Sequence, residues 1–292
     1  MVPATTHIVS RSAVSGLAAV AVALLGAVAT QGFGVTVASA QAAPPSLPSL
    51  IAGPQRSPAN VARDPYRHPL DDLTFFGVQP TSTVIEILPG GVGYWTEILA
   101  PYLKDHGRYI AANPANDATS DEAKRENAAF TAKVAADPTD YAKIEPAEFV
   151  PGSRPLGPDG SADMVLTFRN IHNWMANGTV DAAFASFFRV LKPGGVLGVE
   201  EHRANPDQPQ DPQAKSGYVR QDYAIALAEK AGFRLAASSE ANANPKDTKD
   251  YPAGVWTLPP TYRLKDQDRA KYAAIGESDR FLLKFVKPLS AP

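Results

Sequence analysis

Thr83-Val84-Ile85-Glu86-Ile87-Leu88-Pro89-Gly90-Gly91-Val92-Gly93-Tyr94-Trp95-Thr96 changes its hydrophobic period in the middle, and that change decides the fold. The first six residues are a short run rich in β-branched side chains, which reads as a strand. Pro89-Gly90-Gly91 closes it. From Tyr94 to Lys104 the side chains Trp95, Ile98, Leu99 and Tyr102 recur at helical spacing. A strand, a glycine turn and a helix in direct succession open an α/β unit.

The unit repeats along the chain. Arg108 to Ala112 reads as a second strand, and Thr119-Ser120-Asp121-Glu122 is a capping box that opens an Ala-rich helix ending near Asp137-Pro138. Asp163 opens a strand from Met164 to Phe168. Phe184, Phe187, Phe188 and Leu191 mark one face of a helix that Lys192-Pro193-Gly194-Gly195 ends, and Val196 to Glu201 is the next strand. A helix from about Tyr218 ends at Ala231-Gly232, followed by strands at Arg234 to Ser238 and Phe281 to Lys287. This alternation with short connections predicts an α/β fold with a doubly wound, mainly parallel sheet and helices on both faces. Ligands of such sheets sit beyond the carboxyl ends of the strands, here near Glu86–Gly93, Asn113, Phe168–Trp174 and Glu200–Arg203.

Composition narrows the chemistry. The chain has 292 residues, with 28 Lys and Arg against 30 Asp and Glu, so it lacks the clustered positive charge that holds a phosphate backbone, and nucleic acid is not an expected partner. It has no Cys, which excludes disulfides, thiolate metal sites and a Cys nucleophile. His7 and Arg11 precede an apolar run from Ala13 to Ala29, and no acid occurs before Asp64. With small residues at Ala38-Ser39-Ala40 and Ala40-Gln41-Ala42, residues 1–42 are expected to be a cleaved export signal, leaving a periplasmic protein without a permanent membrane anchor. Residues 43–59, rich in Pro and Ala, are expected to be an extended linker, and residues 60–292 one folded domain.

The motif from Val84 to Thr96 resembles the first motif of class I S-adenosylmethionine-dependent methyltransferases. Asp163-Met164-Val165-Leu166-Thr167 looks like their fourth-strand segment, Leu191-Lys192-Pro193-Gly194-Gly195-Val196-Leu197 like the turn into strand five, and Ala231-Gly232-Phe233 like the turn into strand six. More narrowly, Arg63-Asp64-Pro65-Tyr66-Arg67-His68-Pro69, the stretch from Trp95 to Pro101, and Gly276-Glu277-Ser278-Asp279-Arg280-Phe281 resemble a bacterial group of exported methyltransferases known by prediction. The resemblance implies a seven-stranded sheet and methyl transfer from S-adenosylmethionine to a small molecule. It further implies cofactor contacts from Glu86, Gly90, Gly91, Gly93, Asn113 and Thr167, with the acceptor near the residues that follow Thr167. His172 is then the candidate general base and Asn170 a positioning amide. Three residues depart from the pattern. Leu88 and Val92 stand where glycines are expected, and Asn113 ends strand two where an acid normally receives both ribose hydroxyls.

Other readings remain open at this level. Gly91-Val92-Gly93-Tyr94-Trp95-Thr96 nearly fits the nicotinamide fingerprint but has Thr96 in the third glycine position and Asn113 in the acidic one. An exported, non-catalytic small-molecule-binding protein with the same fold is the alternative to an enzyme. His172, His202 and a glutamate could hold a metal, but their spacing matches no recognised motif and none is expected. Arg63, Arg67 and His68 could receive a carboxylate, or pair at the surface with Asp71 and Asp72.

Overall fold

Every residue of β1 (Thr83–Ile87) is buried, which a strand achieves only when helices cover both faces of its sheet. The computed structural model describes residues 45–289; the segment read as an export signal lies outside them. The other strands are β2 (Arg108–Asn113), β3 (Glu145–Glu148), β4 (Ala162–Phe168), β5 (Leu191–His202), β6 (Arg234–Ser239) and β7 (Arg280–Val286). They form one sheet in the order β3-β2-β1-β4-β5-β7-β6. The pairs from β3 to β5 are parallel. β7 runs antiparallel to both β5 and β6, between which it lies.

Alternation along the strands sorts the core into two layers. Ile85 and Ile87 of β1 join Val165, Val199, Leu283 and Phe285 on one face, under Trp174, Phe184, Phe187 and Leu227. These last four come from α8 (Ile171–Ala176), α9 (Val180–Val190) and α10 (Gln221–Lys230). Val84, Met164, Leu166 and Leu282 point to the other face, under Phe76, Ile98 and Leu99. That face is covered by α4 (Pro69–Phe76) and α5 (Thr96–Leu103). Glu86 shares the second face, so the sheet carries a buried acid next to its glycine turn.

The helix predicted after β2 is α6 (Asp121–Ala136), and Ser120 caps it by accepting a hydrogen bond from the Ala123 N–H at 3.2 Å. It is followed by α7 (Pro138–Tyr141) and by β3, which the sequence reading lacks. β3 contains Pro146, which cannot complete a ladder, and it lies at the sheet edge, where that costs least. Lys192-Pro193-Gly194-Gly195 does end α9, but it bulges within β5: Ala162 faces Leu191, while Met164 already faces Val196. Among the described residues no helix is long and apolar enough to cross a membrane.

The linker expectation for residues 43–59 is corrected from residue 47 onward. Ser46 caps α1 (Leu47–Ile51), whose Leu47 is buried, and Pro58 starts α2 (Pro58–Val61), followed by α3 (Asp64–Arg67). The proline-rich composition was misleading because proline suits the first turn of a helix. The segment is held by charge as well. The Arg56 guanidinium, fully enclosed, bonds Asp64 at 2.8 Å and approaches Glu97 at 3.4 Å, and Lys133 of α6 reaches the other Glu97 oxygen at 2.6 Å. Removing one member of such a buried set strands the charge of the others. Arg56→Ala is therefore expected to lower the unfolding free energy by about 3–5 kcal/mol in urea titrations. A loss below about 1 kcal/mol would mean the segment is only loosely attached.

Candidate functional site

The carboxyl ends of β1, β4 and β5 open into one cavity of about 610 Å³. Its β1 wall is Glu86 and the turn from Leu88 to Val92. Leu88 adopts φ +52°, in the left-handed region that glycine enters without strain, and Gly90 follows at φ +71°. The chain thus keeps the glycine-type turn with a leucine in it. A Cβ at Gly91 would lie 2.5 Å from the Ala129 Cβ of α6, and the Gly91 N–H donates to the Glu126 carboxylate. Glycine at 91 lets α6 close against the turn.

Glu86 is enclosed and accepts a hydrogen bond from the Tyr109 hydroxyl, which also meets Thr96 Oγ1 at 2.8 Å. Burial pushes its carboxyl up to about 7, against the opposing pull of Tyr109, Arg169 and Arg67. Beside it, Trp95 and Phe168 stack with ring centroids 4.2 Å apart, giving the cavity an aromatic wall.

The β4 and β5 ends supply two imidazoles and a carboxylate. His172 lines the cavity, and its Nδ1 lies 3.1 Å from Glu201 Oε1. The Glu201 carboxylate also accepts from the N–H of His172 at 3.3 Å and of His202 at 2.8 Å. Simple strand alternation separates Glu201 from His202, but at the strand end the carboxylate folds back on the following N–H and both residues meet His172. The two imidazoles stand 5.5 Å apart, and His202 Nδ1 is 2.6 Å from Ser278 Oγ. Burial, with the nearby charges of His172, Arg169, Arg280 and Arg67, holds the His202 pKa well below its ordinary value, so the ring is neutral. His172, Glu201 and His202 bring potential ligand atoms within 4.8 Å of one another, a donor set suited to zinc or iron. The arginines that bear on His202 oppose a dication there.

A further wall is cationic. Arg63 and Arg67, from the α3 region, and Arg169, after β4, all line the cavity with Glu277. Glu277 pairs with Arg63 at 2.6 Å and with Arg280 at 3.2 Å. Glu200, buried beneath, pairs with Arg169 at 2.9 Å and Arg280 at 3.1 Å. Of the two readings of Arg63 and Arg67, the surface pairing with Asp71 and Asp72 is not formed. Asp72 is instead buried and accepts from Asn242 at 2.9 Å.

Of the residues singled out in the sequence, Glu86, Gly90, Gly91, Asn170 and His172 line this cavity. Three do not. Asn113 lines a different groove with Asn127 and Phe130, on the opposite flank of α6, which intervenes because its Glu122, Glu126 and Ala129 face the first cavity. Thr167 is fully buried, and its Oγ1 accepts from Asn170 Nδ2 at 3.1 Å. Gly93 is covered by Lys133 and Thr96 and serves the start of α5. Asn170 also donates to the Ile87 carbonyl at 3.2 Å, so its amide ties β4 to β1. Residues missed in the sequence are Arg169, Glu126 and Glu277. Glu277 lies in one of the quoted motifs, and its signal was an acid three residues before an arginine-led, apolar strand.

No protein-family model and no curated protein matches the chain. Solved structures do. An S-adenosylmethionine-dependent methyltransferase from Aquifex aeolicus superposes with a TM-score of 0.51 at 16% identity, covering 83% of this chain and 98% of that one. The cyclase SpnF superposes with a TM-score of 0.55 at 15% identity, covering 84% of this chain and 92% of that one. The seven-stranded sheet with one antiparallel insertion is therefore the class I methyltransferase fold. One neighbour is named for methyl transfer and the other for cyclisation, so the fold alone does not choose a reaction.

Glu86 gives a test of the site's electrostatics. Its folded pKa of about 7 lies above the ordinary 4.5, so the folded state holds the extra proton between these values. The stability linked to this group is present below about pH 4.5 and falls as pH rises toward 7, by about 3 kcal/mol. Glu86→Gln is expected to remove that loss, so the stability gap between variant and parent should widen from pH 5 to pH 8. A gap independent of pH in denaturant titrations would place the Glu86 pKa near its ordinary value.

Proposed function

We propose that this protein transfers a methyl group from S-adenosylmethionine to a small molecule, with His172 as the general base. The observation that carries the reading is that one cavity of a methyltransferase-type sheet unites the glycine turn after β1 with a carboxylate-held histidine after β4. The cavity's volume lies in the range of small-molecule sites.

The residues of this cavity fit the cofactor, though not all of those the sequence suggested. The Gly91 N–H donates to the Glu126 carboxylate, so the methionine carboxylate of S-adenosylmethionine would take this N–H as Glu126 turns to the ribose hydroxyls. Gly90, Gly91, Glu86 and the Trp95–Phe168 wall would hold the cofactor. The acids Glu122 and Glu126 in this cavity, in place of Asn113, would receive the ribose hydroxyls. When bound, S-adenosylmethionine supplies an electrophilic methyl group.

The chain's own residues handle the proton and the alignment. With its Nδ1–H donated to Glu201, His172 retains Nε2 as the nitrogen that can accept a proton from an acceptor hydroxyl or amine. Glu201 positions His172 and stabilises the imidazolium that forms. Asn170 does not reach toward a substrate in this reading; it locks the β4 end to β1 and so keeps His172 in register with the glycine turn. We further propose, on the sequence of residues 1–42 alone, that the protein is exported to the periplasm.

Calorimetry with S-adenosylhomocysteine tests the reading. The folded chain is expected to bind one equivalent, and Asn113→Asp to leave the affinity unchanged within about twofold, because residue 113 belongs to the other groove. Glu126→Ala is expected to change it by about fivefold or more. No measurable binding by the parent, with circular dichroism showing it folded, would overturn methyl transfer.

A further inference from the structure

The ion pairs along the α3 side of the cavity are not one to one. Arg63, Arg67, Arg169 and Arg280 are compensated by two carboxylates, Glu277 and Glu200, each shared between guanidinium groups. Two further buried carboxyls make no ion pair with these arginines: Glu86, held by Tyr109, and Asp72, held by Asn242. Burial and the neighbouring Glu200 raise the Asp72 pKa well above the ordinary range, which favours its neutral form.

Arg67 is the least well paired of the four. It lines the cavity yet is only 3% exposed, and its Nε has no hydrogen-bond partner. The nearest carboxylate oxygen, Glu277 Oε2, is 3.6 Å away and already serves Arg280. Tyr94 covers one face of the guanidinium at 4.3 Å, a contact that cannot replace an in-plane acceptor. Burial, and then the like charges of Arg169 and Arg63, hold the Arg67 pKa well below its ordinary value. An enclosed guanidinium with an unpaired donor is costly in isolation, and the group that relieves it is an oxyanion received in the plane of the fork.

We propose that Arg67, together with Arg63 and Arg169, forms a seat for an oxyanion, carboxylate or phosphate, carried by the acceptor substrate. Arg67 and Arg169 reach both sides of the cavity, bearing on Glu86 of β1 as well as on the β5 end. Arg169 follows β4 and is fixed by Glu200, and both Arg67 and Arg169 act electrostatically on His202, beside the base. The Gly91 N–H of the glycine turn, by contrast, faces α6 and is taken by the protein's own Glu126. The assignment to the acceptor rests on the methyltransferase reading above; the seat itself does not. A substrate held this way has its anion at the arginines and a hydroxyl or amine within reach of His172.

Calorimetric titration of the folded chain with inorganic phosphate and with benzoate, at constant pH and ionic strength, tests the seat. One saturable site is expected for at least one of the two anions. Arg67→Gln should weaken it by at least about tenfold. Arg63→Gln, whose side chain is partly exposed and so leaves the core intact, should weaken it by about threefold or more. Preloading with S-adenosylhomocysteine should change the anion affinity by less than about threefold. Absence of saturable binding of both anions, or affinities unmoved in both folded variants, would overturn the seat. Displacement of the anion by S-adenosylhomocysteine would overturn its assignment to the acceptor. Anion binding without any binding of S-adenosylhomocysteine would overturn methyl transfer while leaving the seat standing.

Discussion

Arg280 is the largest fully buried side chain among the described residues, and it is charged. It leaves the first position of β7, reaches Glu200 on β5 and Glu277 just before its own strand, and donates to the Tyr66 carbonyl of α3. Burial alone pushes the Glu200 carboxyl up, but Arg280 and then Arg169 outweigh it and hold it below its ordinary value. One guanidinium therefore couples the antiparallel strand, the end of β5, the loop after β4 and the N-terminal helices. A well-packed apolar residue in its place could give comparable or greater stability. What the ion network adds is position: it fixes where the cationic wall of the cavity stands.

How much of this was legible in the sequence depended on the range of the signal. β1, β2, β4, β5 and β7, with the helices between them, were readable because burial on both faces demands continuous β-branched and apolar runs. β3 was not, since a four-residue edge strand with a proline has little local signature. Residues 47–59 were misread because composition describes an isolated segment, whereas Arg56 and Leu47 are fixed by Glu97 and the core far along the chain.

The site shows the same division. Glu86, Gly90, Gly91 and His172 were found because they sit at strand ends, where any sheet of this kind places its ligands. Asn113 faces a different groove because α6, whose Ala129 packs on Gly91, passes between it and the first cavity, and that path is a tertiary fact. Thr167 and Gly93 occupy motif positions, yet each is consumed by a neighbour, Asn170 in one case and Lys133 with Thr96 in the other. The arginine wall was only half visible. Arg63 and Arg67 lie within five residues, but Arg169 and Glu277 come from over a hundred residues away.

The order of the sheet also bears on how the chain becomes folded. Among the described residues β6 touches the sheet only through β7, which follows every other strand in the chain. Until it inserts, β5 presents an open ladder of unpaired peptide groups, and β6 has nothing to pair with. The molecule cannot close as it is made. Its folding waits on contacts between distant parts of the chain, which is slow and leaves a sticky edge exposed meanwhile. A chain of this topology cut before Arg280 would therefore lose two strands, the Arg280 network with them, and become a substrate for chaperones and proteases.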